Sequence, residues 1–369
     1  MKPVRNLTIS PHENTLPAWI SVALSLLAWS AKRAPLAAAD VAALTHAAQP
    51  VISTLKQKKI DSLFYISCDV KSTDQEIYEQ VWSIQKRTML SIVRCFADED
   101  IEFYLFKGSE CCERWYKSRP IGIFNDVDIL VHRHDIGKVK AILYQNNFRQ
   151  ARFEASQSQL VDRDVAEVGA IEAQHYELAP FIKMVPLDLD LNKFDPVPSW
   201  IEFPIVEING QWMLAVELDI HHGVATDIEI EDVITDAKLS SFELGLSLSD
   251  SNQVWVLISR YYTEVSLFEK RSLRDFNYVL PILASGNVDW DNILRNSSKY
   301  ELGPALFYFF SFMDHLAGNV VPAEVLSELS PLKTARMRDS GWQLGKLFDF
   351  VEPFPLNMLE TKQWATNIH

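Results

Sequence analysis

Asp126 and Asp128 stand two apart in "FNDVDILV", the run from Phe124 to Val131. On a strand that spacing projects both carboxylates from one face, with Leu130 after them. Val127, Ile129 and Val131 then point the opposite way, into apolar packing. Two neighbouring carboxylates repel, and loss of water makes the repulsion worse. A divalent cation relieves both problems. Mg²⁺ takes oxygen ligands, uses few protein groups, and completes its octahedron with phosphate oxygens and water. Alone, an Asp-x-Asp pair is better explained by a solvated strand end or an arginine partner.

Two further stretches change that balance. In "LFKGSE", Gly108-Ser109 falls where a strand passes into a helix. Backbone N–H groups at a helix start favour phosphate, and glycine lets the phosphate approach closely. Ser109 adds a hydroxyl and Lys107 a positive charge. Downstream, "WMLAVELDIHHGV" alternates strictly. Val216, Leu218 and Ile220 take one face; Glu217, Asp219 and His221 take the other. As a neighbouring strand, it would bring Asp219 beside Asp126 and Asp128. Three converging carboxylates would hold two Mg²⁺ (or Mn²⁺) ions in the clamp used for phosphoryl and nucleotidyl transfer. Asp188 and Asp190 in "PLDLDLN" compete for the third place. Asp219 is preferred because its strand is longer and more apolar on its packed face.

The elements that must position these residues follow from hydrophobic period. "DQEIYEQVWSIQKRTMLSIVRCFADED" spaces Ile77, Val81, Ile84, Met89, Ile92, Val93 and Phe96 as one face of an amphipathic helix. "IEFYLFKG" reads as a strand ending at Gly108, "SECCERWYKS" as a helix from Ser109, "NDVDILV" as a strand, and "DIGKVKAILYQNNF" as a helix. Strand–helix–strand–helix within so short a stretch indicates an α/β core. Residues 170–235 read as strand-rich, with "VPLDLDLNKF" a second alternating strand. After about residue 250 the pattern is helical, with "SLRDFNYVLPILAS" one of four candidates and the aromatic run "LFYFFSF" in another. The expected organisation is an N-terminal helical region (1–75), a mixed-sheet α/β (α+β) catalytic core (76–245) and a C-terminal helical domain (246–369).

Other residues invite chemistry and are given simpler roles. His221 and His222 point to opposite faces of a strand and do not share a metal easily. His221 is a candidate to support Asp219; His222 reads as packing or loop. His175 and Glu177 in "AQHYEL" share one face of a possible strand, either lining the site or half-exposed. Arg271 and Arg274 read as a solvated helix face, with Glu269 and Asp275 nearby.

The formal net charge of −14 argues against a protein that holds nucleic acid by its phosphates. Four cysteines without a Cys-x-x-Cys pair fit free thiols in a reducing cytosol. The apolar part of Leu16–Arg33 is too short to span a bilayer. Glu13 and the polar residues before it do not suit a signal peptide. It reads as a mostly buried helix, capped by Asn14 or Thr15 with Pro17 in its first turn.

Taken in order, these motifs resemble the uncharacterised nucleotidyltransferases of the DNA polymerase beta-like superfamily, over roughly residues 76–320. The carriers are Lys107-Gly108, Tyr116, Asp126-Val127-Asp128, Phe148, and "LDIHHG" with Asp219 and His221. Arg119-Pro120 lies farther upstream than the family's usual Arg-Pro, with "IGIFN" between. The resemblance implies transfer of a nucleoside monophosphate from an NTP to an acceptor, a small molecule or a peptide or protein hydroxyl. Asp126 and Asp128 would bridge two metals, Asp219 would hold the metal on the nucleophile side, and Gly108 and Ser109 would cradle phosphate oxygens. The rival expectation is a catalytically silent module of the same fold that binds a nucleotide or a partner protein.

Overall fold

The computed structural model describes residues 16–154, 159–189, 191, 204–267, 269–330 and 341–350. The chain forms two compact units: Lys71–Ser249, and Met1–Val70 together with Asp250–His369.

The Lys71–Ser249 unit carries a nine-stranded mixed sheet, as the alternating motifs require of an α/β fold. Its strands are β1 (Phe103–Leu105), β2 (Asp126–Val131), β3 (Arg149–Glu154), β4 (Gln159–Asp162) and β5 (Phe181–Pro186), followed by β6 (Ile205–Ile208), β7 (Gln211–His221), β8 (Lys238–Leu239) and β9 (Leu246–Ser247). The order is β4-β3-β5-β7-β2-β1-β9-β8, with β6 also paired to β7. β7 is 11 residues long and divides its labour. Its first residues pair antiparallel with β6, and its last five pair parallel with β2. The Thr73–Asp98 helix lays Ile77, Val81 and Ile84 on the face that bears Leu214 and Val216. That burial leaves the polar face of β7 for other work. Ser72 caps the helix, accepting a hydrogen bond from the Asp74 N–H at 3.2 Å.

Some boundaries differ from the sequence pattern. β1 stops at Leu105, and the next helix begins at Lys107 rather than Ser109. The Ser109 hydroxyl donates to the Phe106 carbonyl at 3.1 Å, so the first turn closes two residues early. β5 stops at Pro186, which has no N–H to extend a ladder. The "VPLDLDLNKF" strand therefore ends before Asp188.

In the other unit, Ala18–Lys32 is the expected buried helix, with ten of its residues in the core. Pro17 is its cap; Asn14 and Thr15 lie outside the described residues. The run "LFYFFSF" is core. Its Phe309 and Phe312 pack on Phe276 at ring distances of 5.5 and 5.0 Å. Arg271 and Arg274 do not share a helix face, because that helix starts only at Phe276. The Leu273 N–H donates to the Lys58 carbonyl at 2.9 Å, which holds this stretch in a non-helical path. No described helix is long and apolar enough to cross a membrane.

Gly245 makes a testable contribution to the sheet edge. Its φ is +68°, and a Cβ there would lie 2.1 Å from Cε2 of buried Phe103. Both the backbone and the ring would have to move. Gly245→Ala is expected to destabilise this unit by about 2–4 kcal/mol in urea unfolding. An unchanged midpoint would show that the loop adapts freely.

Candidate active site

β2 and β7 run parallel, and their register sets Asp126 beside Glu217, Asp128 beside Asp219, and Leu130 beside His221. Partners across a ladder share a face, so four carboxylates and one imidazole form a polar patch on the sheet. Their backs are the buried Val127, Ile129, Leu218 and Ile220. A one-residue slip would turn the acids into the core, so the apolar residues fix the site.

Two segments close over this patch. The Phe106 ring meets the His221 ring edge-on at 5.3 Å. Lys107, with φ +56°, starts the helix and places its ammonium on the Asp128 carboxylate, 3.4 Å from His221 Nε2. From the other side comes the segment after the Val165–Gln174 helix. Glu177 forms a β-bridge with His221, and the Tyr176 ring stacks on the same imidazole at 6.3 Å. Glu177 thus reaches the site while His175 is exposed at the helix end.

His221 is fully buried. Its Nε2 is 2.8 Å from Asp128 Oδ1 and its Nδ1 is 3.2 Å from Glu177 Oε1. His221 therefore contacts Asp128 and Glu177. Burial and then the Lys107 ammonium push its pKa down to about 4, so the ring is neutral despite its two acid neighbours. The acids move the other way. Burial, then Asp126, raises Glu217 to about 7, partly offset by Arg163. Burial, then Asp126 and Asp128, holds Asp219 well above the usual carboxylate range. Without a cation, this face resists full ionisation.

The donor set fits a divalent cation. One ligand atom each from Asp128, Asp219 and His221 lie within 4.8 Å of one another. Asp126 stands one rung away on the same face. A raised Asp219 carboxyl crowded by Asp126 and Asp128, beside a neutral imidazole, is what a cation would stabilise.

Residues 37–318, well over half of the chain, match the family described as uncharacterised nucleotidyltransferase. The chain belongs to that family. No curated protein matches it, and no solved structure does.

The other motif residues have their own surroundings. Tyr116 and Phe148 are core residues. Arg119 is paired with Glu79 at 3.3 Å on the Thr73–Asp98 helix. Asp188 is exposed and follows Leu187, whose N–H donates to the Trp212 carbonyl at the far end of β7. Trp212 is seven residues from Asp219, roughly 23 Å along a strand. Asp190 lies outside the described residues. Gly108 and Ser109 are both buried in the first turn of the helix that starts at Lys107. A cavity of about 380 Å³ lined by Trp82, Lys86, Arg87 and Arg94 contains none of the acids. Glu217 is visible in the alternation of β7, since it shares a side with Asp219. Its proximity to Asp126 needs the register.

Proposed function

We propose that this chain transfers a nucleoside monophosphate from an NTP to an acceptor hydroxyl on a small molecule, peptide or protein. Family membership supports nucleotidyl transfer in general. The observation that carries the finer reading is the pairing of Asp128 with Asp219 on adjacent parallel strands, with Asp126 on the same face. This is the arrangement implied by likeness to the DNA polymerase beta-like superfamily.

Asp126, Asp128 and Asp219 would hold Mg²⁺ or Mn²⁺. Bound there, such ions acidify and align an acceptor hydroxyl and stabilise charge on the departing pyrophosphate. Asp219 would face the acceptor and Asp126 the triphosphate. Backbone N–H groups around Gly108 and Ser109 would meet phosphate oxygens at the helix start. The Lys107 ammonium would exchange Asp128 for phosphate. The formal net charge of −14 disfavours a nucleic-acid acceptor. The four free thiols suit a reducing compartment such as the cytosol.

One observation favours the second reading, a silent module that binds nucleotide or a partner. Three groups suited to phosphate are already engaged: Ser109 with Phe106, Lys107 with Asp128, and Arg119 with Glu79. Incubation with each labelled NTP, a divalent cation and cell extract distinguishes them. Active transfer gives a product heavier by one NMP in mass spectrometry. NTP binding with no labelled species in any extract supports the silent module.

A further inference from the structure

We infer that His221 is itself a ligand of the cation, oriented by Glu177, and that the site takes a divalent transition ion such as Mn²⁺ in preference to Mg²⁺. This rests on the metal-dependent reading above and makes its ligand set specific.

A neutral imidazole donates from one nitrogen and accepts at the other. Here both nitrogens face carboxylates: Nε2 is 2.8 Å from Asp128 Oδ1, and Nδ1 is 3.2 Å from Glu177 Oε1. With the proton on Nε2, Nδ1 opposes the Glu177 oxygen, acceptor to acceptor. With the proton on Nδ1, Nε2 and Asp128 Oδ1 become two lone pairs side by side. In this second arrangement Nδ1–H points to Glu177, and the paired lone pairs of Nε2 and Asp128 Oδ1 share the Lys107 ammonium, where a divalent cation would take its place.

Three features favour this second arrangement. The Lys107 ammonium already lies on Asp128 and 3.4 Å from Nε2, so a positive charge occupies the shared corner. Adjacent ligand atoms of an octahedral ion with bonds near 2.1 Å are about 3 Å apart, and the Nε2 to Oδ1 separation of 2.8 Å matches. Asp219 supplies the third atom within reach. Glu177 then plays the part that carboxylates play behind metal-bound histidines: it fixes the tautomer and raises ligand basicity. Its contact with Nδ1 is close but not aligned as a hydrogen bond. Ring rotation onto a cation would bring it into line.

The chemical consequence is selectivity. Mg²⁺ takes oxygen donors and keeps its waters, whereas an imidazole nitrogen suits transition ions. Lys107 must leave Asp128 when the cation enters, which frees its ammonium for phosphate. Cation loading and readiness for a triphosphate are thereby joined in one side chain.

Mn²⁺ added to the full-length protein, without nucleotide, provides the test. Pulsed EPR is expected to show coupling of the bound ion to one ¹⁴N, replaced by ¹⁵N coupling when histidine alone is labelled. His221→Gln should lose the nitrogen coupling and bring Mn²⁺ affinity to within about threefold of Mg²⁺ affinity; the native chain should prefer Mn²⁺ at least tenfold. Glu177→Ala should weaken Mn²⁺ binding by about 10–100-fold, and Glu177→Gln, whose carbonyl still accepts from Nδ1–H, should restore most of it. Circular dichroism checks that each variant is folded, and the labelling arm needs no variant. Mn²⁺ bound without nitrogen coupling, and released by Asp128→Asn, would overturn the histidine ligand while leaving the carboxylate site standing. No Mn²⁺ binding at all would overturn both this inference and the metal-dependent reading.

Discussion

Asp128→Asn is expected to reduce nucleotidyl transfer by at least about 10³-fold without unfolding the chain, the loss that follows when charge stabilisation at the reacting phosphate is removed. Asp128 is the residue on which the site converges. It faces Asp219 across the parallel ladder, accepts the Lys107 ammonium and contacts His221. An asparagine keeps the shape and one oxygen but not the charge. The apolar back of β2, formed by Val127, Ile129 and Val131, is untouched, so the strand should stay in register. Asp219→Asn should match this loss, since it removes the other half of the rung. Calorimetry should show that NTP binding no longer depends on Mn²⁺ in Asp128→Asn. Asp188→Asn is the control. Its side chain is exposed near the far end of β7, and its activity should equal that of the native chain. Full activity in Asp219→Asn with loss in Asp188→Asn or Asp190→Asn would reassign the third acid.

The site's residues are legible in the sequence wherever period alone decides direction. Asp126 and Asp128 share a side because strand residues alternate, and the same rule puts Glu217, Asp219 and His221 together. What alternation does not encode is which strands are neighbours. Residues 132–210 separate β2 from β7 and include β3, β4, β5 and β6, and only the parallel register sets Asp128 opposite Asp219. The role of Glu177 is hidden for a related reason. It belongs to no regular strand, and an isolated bridge brings it to His221. The place of Lys107 after a strand points to phosphate. Its contact with Asp128 depends on a left-handed backbone at φ +56°, which no propensity favours for lysine. The helix start at Lys107 escapes the sequence pattern because Ser109 is a good cap by type, yet here it bonds back to Phe106. Arg271 and Arg274 fail as a helical pair because a long-range bond from Leu273 to Lys58 overrides the local pattern.

The second large effect concerns stability in the metal-free chain. In EDTA, the native protein is expected to lose stability as pH rises from about 4.5 through about 7, and Glu217→Gln should lose much less. Glu217 ionises near 7 in the fold against 4.5 ordinarily, through burial and then the Asp126 charge. Below 4.5 it is protonated folded and unfolded, so its contribution is fully retained. As pH rises the unfolded chain ionises first, and the fold must hold the proton or accept a buried charge. A shift of this size corresponds to at most about 3 kcal/mol by linkage, at roughly 1.4 kcal/mol per pH unit. Urea unfolding at pH 4.5, 6 and 8 should therefore show the two chains converging at the low end. At the high end the variant should be more stable by up to about 3 kcal/mol. Parallel curves would mean that the acids on this face do not sense one another. Asp219 is displaced in the same direction by burial and then by Asp126 and Asp128, so its penalty extends to higher pH. Mn²⁺ at 100 times its Kd should return about 2.7 kcal/mol to the native chain, and a fixed Mn²⁺ concentration should return more at pH 8 than at pH 6. A face whose charges oppose the fold until a cation arrives makes metal binding and stability one equilibrium. That opposition gives a physical reason for four carboxylates on a sheet whose other face is apolar core.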